Sequence, residues 1–488
     1  MHRLTPESLA EARPGVRPFS YDRSAVTPGI VHLGIGAFHR AHQAVYVDDL
    51  LSQFPDWGIV GASLRRPDTK DALDPQSGLY SVLVRDAGGS TCRVIGSVLE
   101  IIDATREGER LLDLMASPAI RIVSLTVTEK GYCHDPATGR LDTSHPDIVH
   151  DLASPASPRS APGFIVEALD RRRRAGLAPF TVMSCDNLPS NGHTASRIIS
   201  EFAAARGSDL AAYVATAAFP STMVDRIVPA TTDADRQAVG EALGLEDAWP
   251  VVTERFTQWV IEDRFSAGRP AFETVGAQMV RDVEPFERMK LRMLNGSHST
   301  LAYLGYLAGH QYVADAIGDP AFRKLIFGLM TEEVIPTLEM PEADLPGYRD
   351  DLLERFANPA LKHRTWQIAM DGSQKLPQRF LGTIRDRIAA GQGYQRLALG
   401  VAGWMRYAAG VDEQGNTIDV RDPMVERFRA VAAASGQDPK KLAEGLLAIR
   451  EIFGSDLAGD DRFRSEVTRL LAALYENGAA AVVAQVGE

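Results

Sequence analysis

The sequence predicts an α/β protein with two domains: a mostly parallel sheet domain over residues 1–280 and a mostly α-helical domain over residues 281–488. Before residue 280, short apolar runs alternate with helical periods, which is typical of parallel βαβ units. After it, nearly every segment has apolar residues at positions i, i+3, i+4 and i+7, the pattern of amphipathic helices. A chain of 488 residues is long enough for two large domains.

Five apolar runs of the first half are predicted as strands: GIVHL at 29–33, GIVGASL at 58–64, YSVLVRD at 80–86, IRIVSLTVT at 120–128 and FTVMSC at 180–185. One helical period, AHQAVYVDDLLSQF, follows the first run, and another, IVEALDRRRRAG, precedes the last. In the second half the longest helical stretch is EPFERMKLRMLNGSHSTLAYLGYLAG, and further amphipathic periods follow it.

Charge restricts the classes of partner. Lys and Arg total 52 against 64 Asp and Glu, which gives a formal net charge of −12. We therefore expect a small-molecule substrate and no binding to nucleic acid or to anionic membranes. A small anionic substrate fits this charge, because a local cluster of cations can outweigh the global sign.

Cysteine content and hydropathy predict a cytoplasmic protein. Cys92, Cys133 and Cys185 form no CxxC pair, which argues against a disulfide framework and against a structural zinc site. The N-terminus lacks the apolar core of a signal peptide, and no window reaches the roughly 18 apolar residues of a membrane helix.

The first candidate motif is GIGAFHRAH, in which Gly34 and Gly36 directly follow the first predicted strand. A glycine turn between a strand and a helix lets the backbone approach a pyrophosphate. Gly34, Gly36, Ala37 and Phe38 are therefore candidate dinucleotide contacts of a Rossmann-like domain. The third glycine of the usual fingerprint is replaced by His39. A plain βα turn explains the motif by itself equally well, and only its position in the first βα unit favours a dinucleotide.

The residues after the second predicted strand bear on the choice between NAD and NADP. In NAD enzymes of this fold, an acidic side chain near this point binds the ribose hydroxyls. Asp68 would serve that role, whereas Arg65 and Arg66, which precede it, would suit a 2′-phosphate. Both cofactors stay open at this point.

The third candidate is KLRMLNGSH, which puts Lys290, Asn295 and His298 on one predicted helix. At about 100° per residue, Asn295 lies roughly 140° and His298 roughly 80° from Lys290, so all three can face one concave wall. Apolar neighbours would partly desolvate Lys290 and lower its pKa toward the range of a general base. Spacing alone, however, favours an ordinary amphipathic helix with these residues at its polar edge.

Polar pairs lie in two further segments. Asp186 and Asn187 follow the strand FTVMSC, at the edge where open α/β sheets bind ligands, although such a pair more often forms a turn or a helix cap. Asp225 and Arg226 lie in the apolar stretch STMVDRIVP and, taken alone, are better explained as a structural ion pair.

Together these segments resemble the polyol-specific long-chain dehydrogenase family, whose members include mannitol 2-dehydrogenases. The resemblance is carried, in chain order, by GIGAFHRAHQ, SLTVTEKGY, SCDN, MVDRIVP, KLRMLNGSH and DGSQKLPQR, and it extends from about residue 25 to about residue 480. The Lys-x4-Asn-x2-His pattern is specific to this family. The resemblance implies an NAD-dependent, metal-independent oxidoreductase that acts on a secondary alcohol, with its active site in the cleft between the two domains. NADP remains the alternative cofactor.

The resemblance also implies a role for each candidate residue. Lys290 would exchange the proton of the reacting hydroxyl, and Asn187 and Asn295 would donate hydrogen bonds to its oxygen. Asp225 would influence the protonation of Lys290, and His298 would orient a substrate hydroxyl.

The substrate expected from the resemblance is a sugar acid. Mannitol dehydrogenases of the family have an arginine four residues before the DG of DGS, where this chain has Gln367. His363, Arg364 and Lys375 lie nearby in the sequence as candidate contacts for a carboxylate. We therefore expect interconversion of D-mannonate and D-fructuronate, with mannitol or a related polyol as the alternative. A non-catalytic dinucleotide sensor is a more distant alternative, because a sensor would not need Lys290.

Overall fold

The computed structural model describes residues 1–86, 88–135, 138–340 and 343–487. Packing divides the chain into two units, Met1–Glu284 and Pro285–Glu488, a division that falls four residues after the predicted boundary at residue 280. Within the described ranges, no helix combines the length and the hydropathy that a membrane crossing requires.

The first unit is built on a parallel sheet. The strands described in this unit are β1 (Pro28–Leu33), β2 (Gly58–Ser63), β3 (Tyr80–Asp86), β4 (Gly89–Ile95), β5 (Val98–Asp103), β6 (Ile122–Leu125), β7 (Thr181–Ser184), β8 (Thr222–Asp225), β9 (Val251–Thr253), β10 (Gln258–Glu262) and β11 (Gln278–Val280). Five of them form a sheet in the order β5-β2-β1-β6-β7, with all neighbours parallel. The chain therefore leaves β1 toward one side and later returns to its other side, which creates a ligand crevice at the carboxyl ends of the strands. The Rossmann-like prediction is confirmed.

Two smaller sheets depart from the parallel pattern. β3 pairs antiparallel with β4 and parallel with β9, while β10 pairs antiparallel with β8 and parallel with β11. The predicted strand at 80–86 is thus present, but it forms a hairpin instead of a βαβ unit. Because β4 follows β3 almost directly, the chain has no room for the helix that a parallel crossover requires.

Alternate residues of the parallel sheet face two separate cores. Val31 and Leu33 of β1 pack in one cluster with Phe164, whereas Ile30 packs in another with Trp57. Since successive side chains of a strand point to opposite faces, the sheet is buried on both sides.

The α-helices described in the first unit are α1 (Ala37–Ala41), α2 (Gln43–Leu50), α3 (Asp68–Leu73), α4 (Ala104–Ala116), α5 (Pro146–Ala153), α6 (Ala161–Arg174), α7 (Asn191–Arg206), α8 (Ser208–Val214) and α9 (Asp233–Leu243). The single helix predicted after β1 is divided into α1 and α2, because His42 between them leaves the helical region with φ −121° and ψ −87°.

The second unit is helical, as predicted. Its described α-helices begin with α10 (Glu284–Met289), whose first residue is the last of the first unit, and continue with α11 (Gly296–Leu307), α12 (Val313–Gly318), α13 (Pro320–Gly328), α14 (Leu345–Phe356), α15 (Thr365–Ala369), α16 (Gly372–Leu376), α17 (Gly382–Ala389), α18 (Gln395–Ala408), α19 (Val425–Ser435), α20 (Pro439–Leu447), α21 (Arg450–Gly459), α22 (Asp461–Asn477) and α23 (Ala479–Gly487). The helix α11 is buried on nearly all sides and packs against α18 at the centre of the unit.

Three segments of the second unit are π-helical: Lys290–Asn295, Leu329–Val334 and Pro377–Leu381. The first joins α10 to α11, so the predicted long helix is continuous but is widened in its middle. The third joins α16 to α17. Single π turns inside α-helices occur frequently at functional sites.

Candidate active site

A cavity of about 640 Å³ lies at the carboxyl ends of the parallel strands in the first unit. Its wall contains the predicted contacts Gly34, Gly36 and Ala37, which follow β1. The cavity wall is rich in positive charge, contributed by Arg40, Arg65, Arg66, Arg159 and Arg236. Position and charge together suit a dinucleotide, whose pyrophosphate is anionic.

The two glycines of the turn have different tasks. Gly34 has φ +92° and a Cβ there would lie 2.2 Å from the carbonyl oxygen of Thr126, so only glycine fits. A Cβ on Gly36 would meet nothing nearer than 3.8 Å. Packing within the protein therefore does not require glycine at position 36. A ligand that contacts the backbone of this exposed turn would require it.

Phe38, unlike Gly34, Gly36 and Ala37, does not line the cavity. Its ring stacks on His42 at a centroid distance of 5.2 Å and packs against one of the two sheet cores. It is not among the residues that line the cavity, and its role as a cofactor contact stays a prediction.

The three residues predicted for the ribose region all line the cavity. Arg65 is bound to Asp147, with a distance of 2.6 Å between its Nη2 and the carboxylate Oδ2. Arg66 lies 3.9 Å from Asp68, which begins α3. Arg65 is thus paired with a carboxylate, whereas Arg66 is largely exposed and makes only a long contact with Asp68.

The end of β7 is tied to the loop after β6 through Asp186. Its carboxylate accepts hydrogen bonds from the backbone N–H groups of Val127 at 3.1 Å and Thr128 at 2.8 Å, and from the hydroxyl of Tyr132 at 2.9 Å. Burial raises the pKa of Asp186 to about 6 although these hydrogen bonds act in the opposite direction. Asp186, which was predicted to lie in a turn, therefore also joins the end of β7 to the loop after β6.

The predicted amide donor Asn187 is exposed and lies directly after Asp186. Its position is secured by Asn191, a buried residue that spacing arguments overlooked. The side chain of Asn191 donates to the carbonyl oxygens of Asp186 at 3.0 Å and Thr222 at 2.9 Å, and it accepts the N–H of Thr222. It therefore joins the segment after β7 to β8, which carries Asp225 at its other end.

Asp225 is the last residue of β8 and is buried. Its neighbour Arg226 donates to the carbonyl oxygen of Glu254 and to that of Ala41. Burial lowers the pKa of Arg226 to about 10. The basic residue of this pair thus holds together backbone segments of the first unit.

Lys290 and Asn295 are the first and last residues of the first π segment. The N–H of Gly296 donates to the carbonyl oxygen of Leu291, five residues earlier. Because this pattern is wider than that of an α-helix, residues five apart lie more nearly on one face than the predicted angle of roughly 140° implies. The structure thus corrects the predicted angle, and Lys290 and Asn295 lie more nearly on one face of the helix.

His298 is buried in the second unit, one turn after Asn295. Its ring contacts the ring of His363 edge-on at 4.7 Å and stacks on Phe356 at 5.3 Å. Burial keeps the pKa of His298 well below its usual range, and the positive charges of Arg379, Lys375 and Arg355 lower it further. His298 is therefore neutral at pH 7, and its Nε2 atom has no hydrogen-bond partner within the described structure.

The predicted substrate contacts are only partly brought together. His363 faces His298, and burial together with the charge of Lys375 lowers its pKa to about 4. The Nζ of Lys375 donates to the carbonyl oxygens of Ile368 and Met370. Arg364 is exposed at the start of α15. The positive charge near His298 at neutral pH therefore comes from lysine and arginine, not from His363.

Arg355, on α14, was not predicted as a site residue. It is buried and its charge acts on His298. Nothing in the local sequence DLLERFANPAL distinguishes it from the polar edge of an amphipathic helix, since only the fold brings α14 to α11.

In the described ranges, one group of side chains has the spacing of a metal site. Cys133, His145 and Asp147 have ligand atoms within 4.8 Å of one another. Asp147 already receives Arg65, His145 accepts the N–H of Asp147 at 3.2 Å, and burial raises the pKa of Cys133 to about 11. The last effect disfavours the thiolate that a metal binds. Catalysis without a metal stays a prediction.

Comparison with known proteins identifies the family. The mannitol dehydrogenase Rossmann domain matches residues 28–274, and the mannitol dehydrogenase C-terminal domain matches residues 282–475. The chain belongs to the mannitol dehydrogenase family. The family predicted from the motifs is therefore confirmed, and with it the prediction of an oxidoreductase.

Individual relatives of this family member cover it almost completely. D-mannonate oxidoreductase of Escherichia coli (strain K12) is 50% identical over 492 residues, 99% of this chain and 100% of the relative. Mannitol 2-dehydrogenase of Pyricularia oryzae is 43% identical over 485 residues, 97% of this chain and 96% of the relative. A ternary complex of Pseudomonas fluorescens mannitol 2-dehydrogenase with NAD and D-mannitol is similar in structure, with a TM-score of 0.90, 40% identity and 99% of each chain covered.

Proposed function

We propose that this family member is an NAD(H)-dependent oxidoreductase that interconverts D-mannonate and D-fructuronate. The observation that carries the proposal is the positive charge of Arg355, Lys375 and Arg379 around the buried His298, because a sugar acid needs a cationic site and a neutral polyol does not. The 50% identity to D-mannonate oxidoreductase along the whole chain supports the same substrate.

NAD is the cofactor that the cavity of the first unit supports. The relative from Pseudomonas fluorescens holds NAD, and here the Gly34–Gly36 turn and the arginine-rich wall are suited to a pyrophosphate. Asp68 is available for the ribose hydroxyls. When bound, NAD accepts a hydride from the secondary alcohol carbon, and NADH returns it.

The side chains of the proposed site move the proton and stabilise the charge. In alcohol oxidation, Lys290 as the neutral amine would take the hydroxyl proton, and in reduction its ammonium form would return it. Asn187 and Asn295 would donate side-chain N–H groups to the oxygen that becomes alkoxide-like. As the family resemblance implies, Asp225 would influence the protonation of Lys290.

His298 would orient the substrate. Its neutral ring can donate from one nitrogen and accept at the other, and the unpartnered Nε2 has the capacity for one bond to a substrate hydroxyl. The substrate carboxylate would be attracted by Lys375, Arg379 and Arg355, whose charges all act on His298. His363, which is neutral at pH 7, would contribute a hydrogen bond and not a charge.

A polyol is the second candidate substrate. It is favoured by 43% identity to a mannitol 2-dehydrogenase and by similarity to a complex that contains D-mannitol. Against it stand Gln367, which replaces an arginine expected from the sequence resemblance, and the positive charge near His298.

The proposed function is tested by a substrate panel assayed with NADH or NAD and with NADPH or NADP. The panel contains fructuronate, tagaturonate and fructose for reduction, and mannonate and mannitol for oxidation. We expect the highest kcat/KM for fructuronate with NADH. A kcat/KM for fructose or mannitol at least equal to that for the corresponding sugar acid would overturn the proposal in favour of the polyol.

A further inference from the structure

The loop after β6 contains a strained residue in the wall of the dinucleotide cavity. Thr128 has φ +63° and ψ 168°, a region that is essentially restricted to glycine because of the clash made by a Cβ. Such a conformation persists only where the surrounding structure holds it in place. Thr126, Val127 and Thr128 all line the cavity, so the strain is located where a ligand would lie.

Two sets of hydrogen bonds hold this wall. On one side, the hydroxyl of Thr126 donates to the carbonyl oxygen of Gly34 at 2.8 Å and is also bonded to His32 at 2.8 Å. On the other side, Asp186 accepts the N–H groups of Val127 and Thr128. The strained residue is therefore clamped between the glycine turn and the end of β7.

Asp186 supplies the bonds that fix Thr128 itself. Its Oδ1 accepts the N–H of Thr128 at 2.8 Å, and its Oδ2 accepts both the N–H of Val127 and the hydroxyl of Tyr132. A charged carboxylate accepts at both oxygens, so Asp186 can satisfy all three donors at once. The residue after it is Asn187, the proposed amide donor of the reaction.

The position of β6 in the sheet indicates which half of the cofactor would contact the wall formed by residues 126–128. The loop after β2, with Arg65, Arg66 and Asp68, is suited to the adenosine half. β6 lies on the opposite side of β1, and a dinucleotide spans the crevice across the point where the strand order reverses. The wall formed by residues 126–128 is therefore on the side of the nicotinamide half.

We propose that Asp186 is a positioning residue that holds Thr128 in its strained conformation and thereby shapes the wall that receives the nicotinamide half of NAD(H). The same side chain couples this wall to Asn187, so the cofactor and the amide donor share one support. This inference rests on the proposed NAD(H)-dependent function, and it assigns to Asp186 no contact with the reacting atoms.

The experiment compares Asp186→Asn, Thr128→Gly and the double variant in the full-length protein. Asp186→Asn keeps the size of the side chain but presents an amide NH₂ to at least one backbone donor. We expect its Kd for NADH, measured by fluorescence titration, to rise about tenfold. Thr128→Gly alone sets the reference for the double variant, because glycine adopts the required conformation without strain but removes a side chain of the cavity wall.

The double variant tests whether Asp186 positions Thr128 or only stabilises the fold. In the double variant, the glycine removes the strain that Asp186 opposes, so we expect Kd for NADH to fall from the value of Asp186→Asn to that of Thr128→Gly alone. The loss in thermal stability caused by Asp186→Asn should not be reversed. A Kd that stays high in the double variant, or one that is unchanged in Asp186→Asn, would overturn the proposal.

A matched control is available in Asp48. Its carboxylate accepts the N–H groups of Gly96 at 2.8 Å and Ser97 at 3.1 Å and the hydroxyl of Tyr21 at 2.7 Å, which matches the donors of Asp186 outside the cavity wall. Asp48 also accepts a hydrogen bond from the guanidinium of Arg93 at 2.6 Å, so its loss should cost at least as much stability. Asp48→Asn should lower stability and leave Kd for NADH unchanged. An increase in Kd equal to that of Asp186→Asn would mean that loss of any such carboxylate is sufficient.

Two further measurements keep the outcomes distinct. If Asp186→Asn does not fold, Tyr132→Phe removes one of the three donors and should raise Kd about threefold, again reversed by Thr128→Gly. Wild-type binding of NADH is measured first. Absence of that binding would refute the proposed function, whereas binding that is insensitive to Asp186 would refute only the positioning role.

Discussion

The guanidinium of Arg379 donates a hydrogen bond to the hydroxyl oxygen of Ser299 at 2.8 Å, and the same nitrogen lies 3.4 Å from the carbonyl oxygen of Asn295. Arg379 belongs to the π segment Pro377–Leu381, which packs against the π segment Lys290–Asn295. Two widened helices thus support each other. A Cβ on Gly296 would lie 3.0 Å from the carbonyl oxygen of Arg379, so this packing is also close at the level of the backbone.

This contact predicts a catalytic effect of Arg379 that is separate from its charge. Arg379→Lys keeps the positive charge but loses the guanidinium nitrogen that lies near both Ser299 and Asn295. We expect kcat to fall about tenfold, because small displacements of catalytic groups are costly, while Kd for NADH is unchanged. Ser299→Ala, which removes only the hydroxyl acceptor, should give a smaller decrease. An unaltered kcat in Arg379→Lys would show that the contact does not position Asn295.

Replacement of the proposed base should act on the chemical step. Lys290→Ala is expected to lower kcat by about 10²–10⁴-fold, since the reacting hydroxyl loses its proton acceptor. Binding of NADH should be nearly intact, and added primary amines should restore part of the activity. Turnover close to that of the wild type would remove Lys290 from the mechanism.

Cofactor choice depends on the carboxylates beside the two arginines. Because Arg65 is bound to Asp147 and Arg66 is near Asp68, we expect kcat/KM for NADH to exceed that for NADPH. Asp68→Ser should narrow the difference by about tenfold, since it removes a negative charge that would repel a 2′-phosphate. Steady-state kinetics with both cofactors tests this, and a wild-type preference for NADPH would contradict it.

Buried histidines predict a loss of stability in acid. The pKa of His363 is lowered to about 4 and that of His32 to about 3, both through burial. Between about pH 6.5 and pH 4 the unfolded chain therefore binds protons at these side chains that the folded chain does not. The stabilisation that they provide is complete above about pH 6.5 and is lost as the pH falls toward 4.

The contribution of one histidine can be isolated by substitution. His363→Asn removes a titrating ring, so urea unfolding at pH 5 and pH 7.5 should show a smaller difference in unfolding free energy for this variant than for the wild type. An equal difference in both proteins would mean that His363 does not titrate as its burial implies.

The central parallel sheet could be predicted because each of its buried strands has a recognisable pattern in its own short stretch of sequence. β1, β2, β6 and β7 are buried on both faces, so each is a continuous apolar run. β5 was missed since Glu100 interrupts its apolar run, and Leu99 and Glu100 are only partly buried. The partner of a strand is not local information either, which is why the segment 80–86 was predicted as a strand of a βαβ pattern although it forms a hairpin with β4.

The candidate site was predicted through its motifs, not through its geometry. A π segment of six residues is too short to change the periodicity of apolar residues in the sequence. The π segment at Lys290–Asn295 could therefore not be inferred. Arg355 reaches His298 only through the packing of α14, and Asp186 acts through backbone N–H groups that have no signature in the sequence. Residues that support the proposed site, such as Arg355 and Asp186, were therefore less predictable than the motif residues to which a chemical role was assigned.

The charge of the substrate provides the last prediction. In a chain with a net charge of −12, attraction of a sugar acid must come from local cations, and Lys375 and Arg379 both act on the ring of His298. Lys375→Met removes one of these charges and leaves an apolar stem of similar length. We expect kcat/KM for fructuronate to fall at least about tenfold, because the carboxylate loses an oppositely charged neighbour in a buried site.

Fructose supplies the comparison, because it has the same carbon skeleton without the carboxylate. Its kcat/KM should change less than about twofold in Lys375→Met, since a neutral sugar gains nothing from the charge. Lys375→Arg, which keeps the charge and loses the fit to the carbonyl oxygens of Ile368 and Met370, separates charge from packing and should retain most of the preference for fructuronate. Equal losses for fructose and fructuronate in Lys375→Met would assign Lys375 to structure alone.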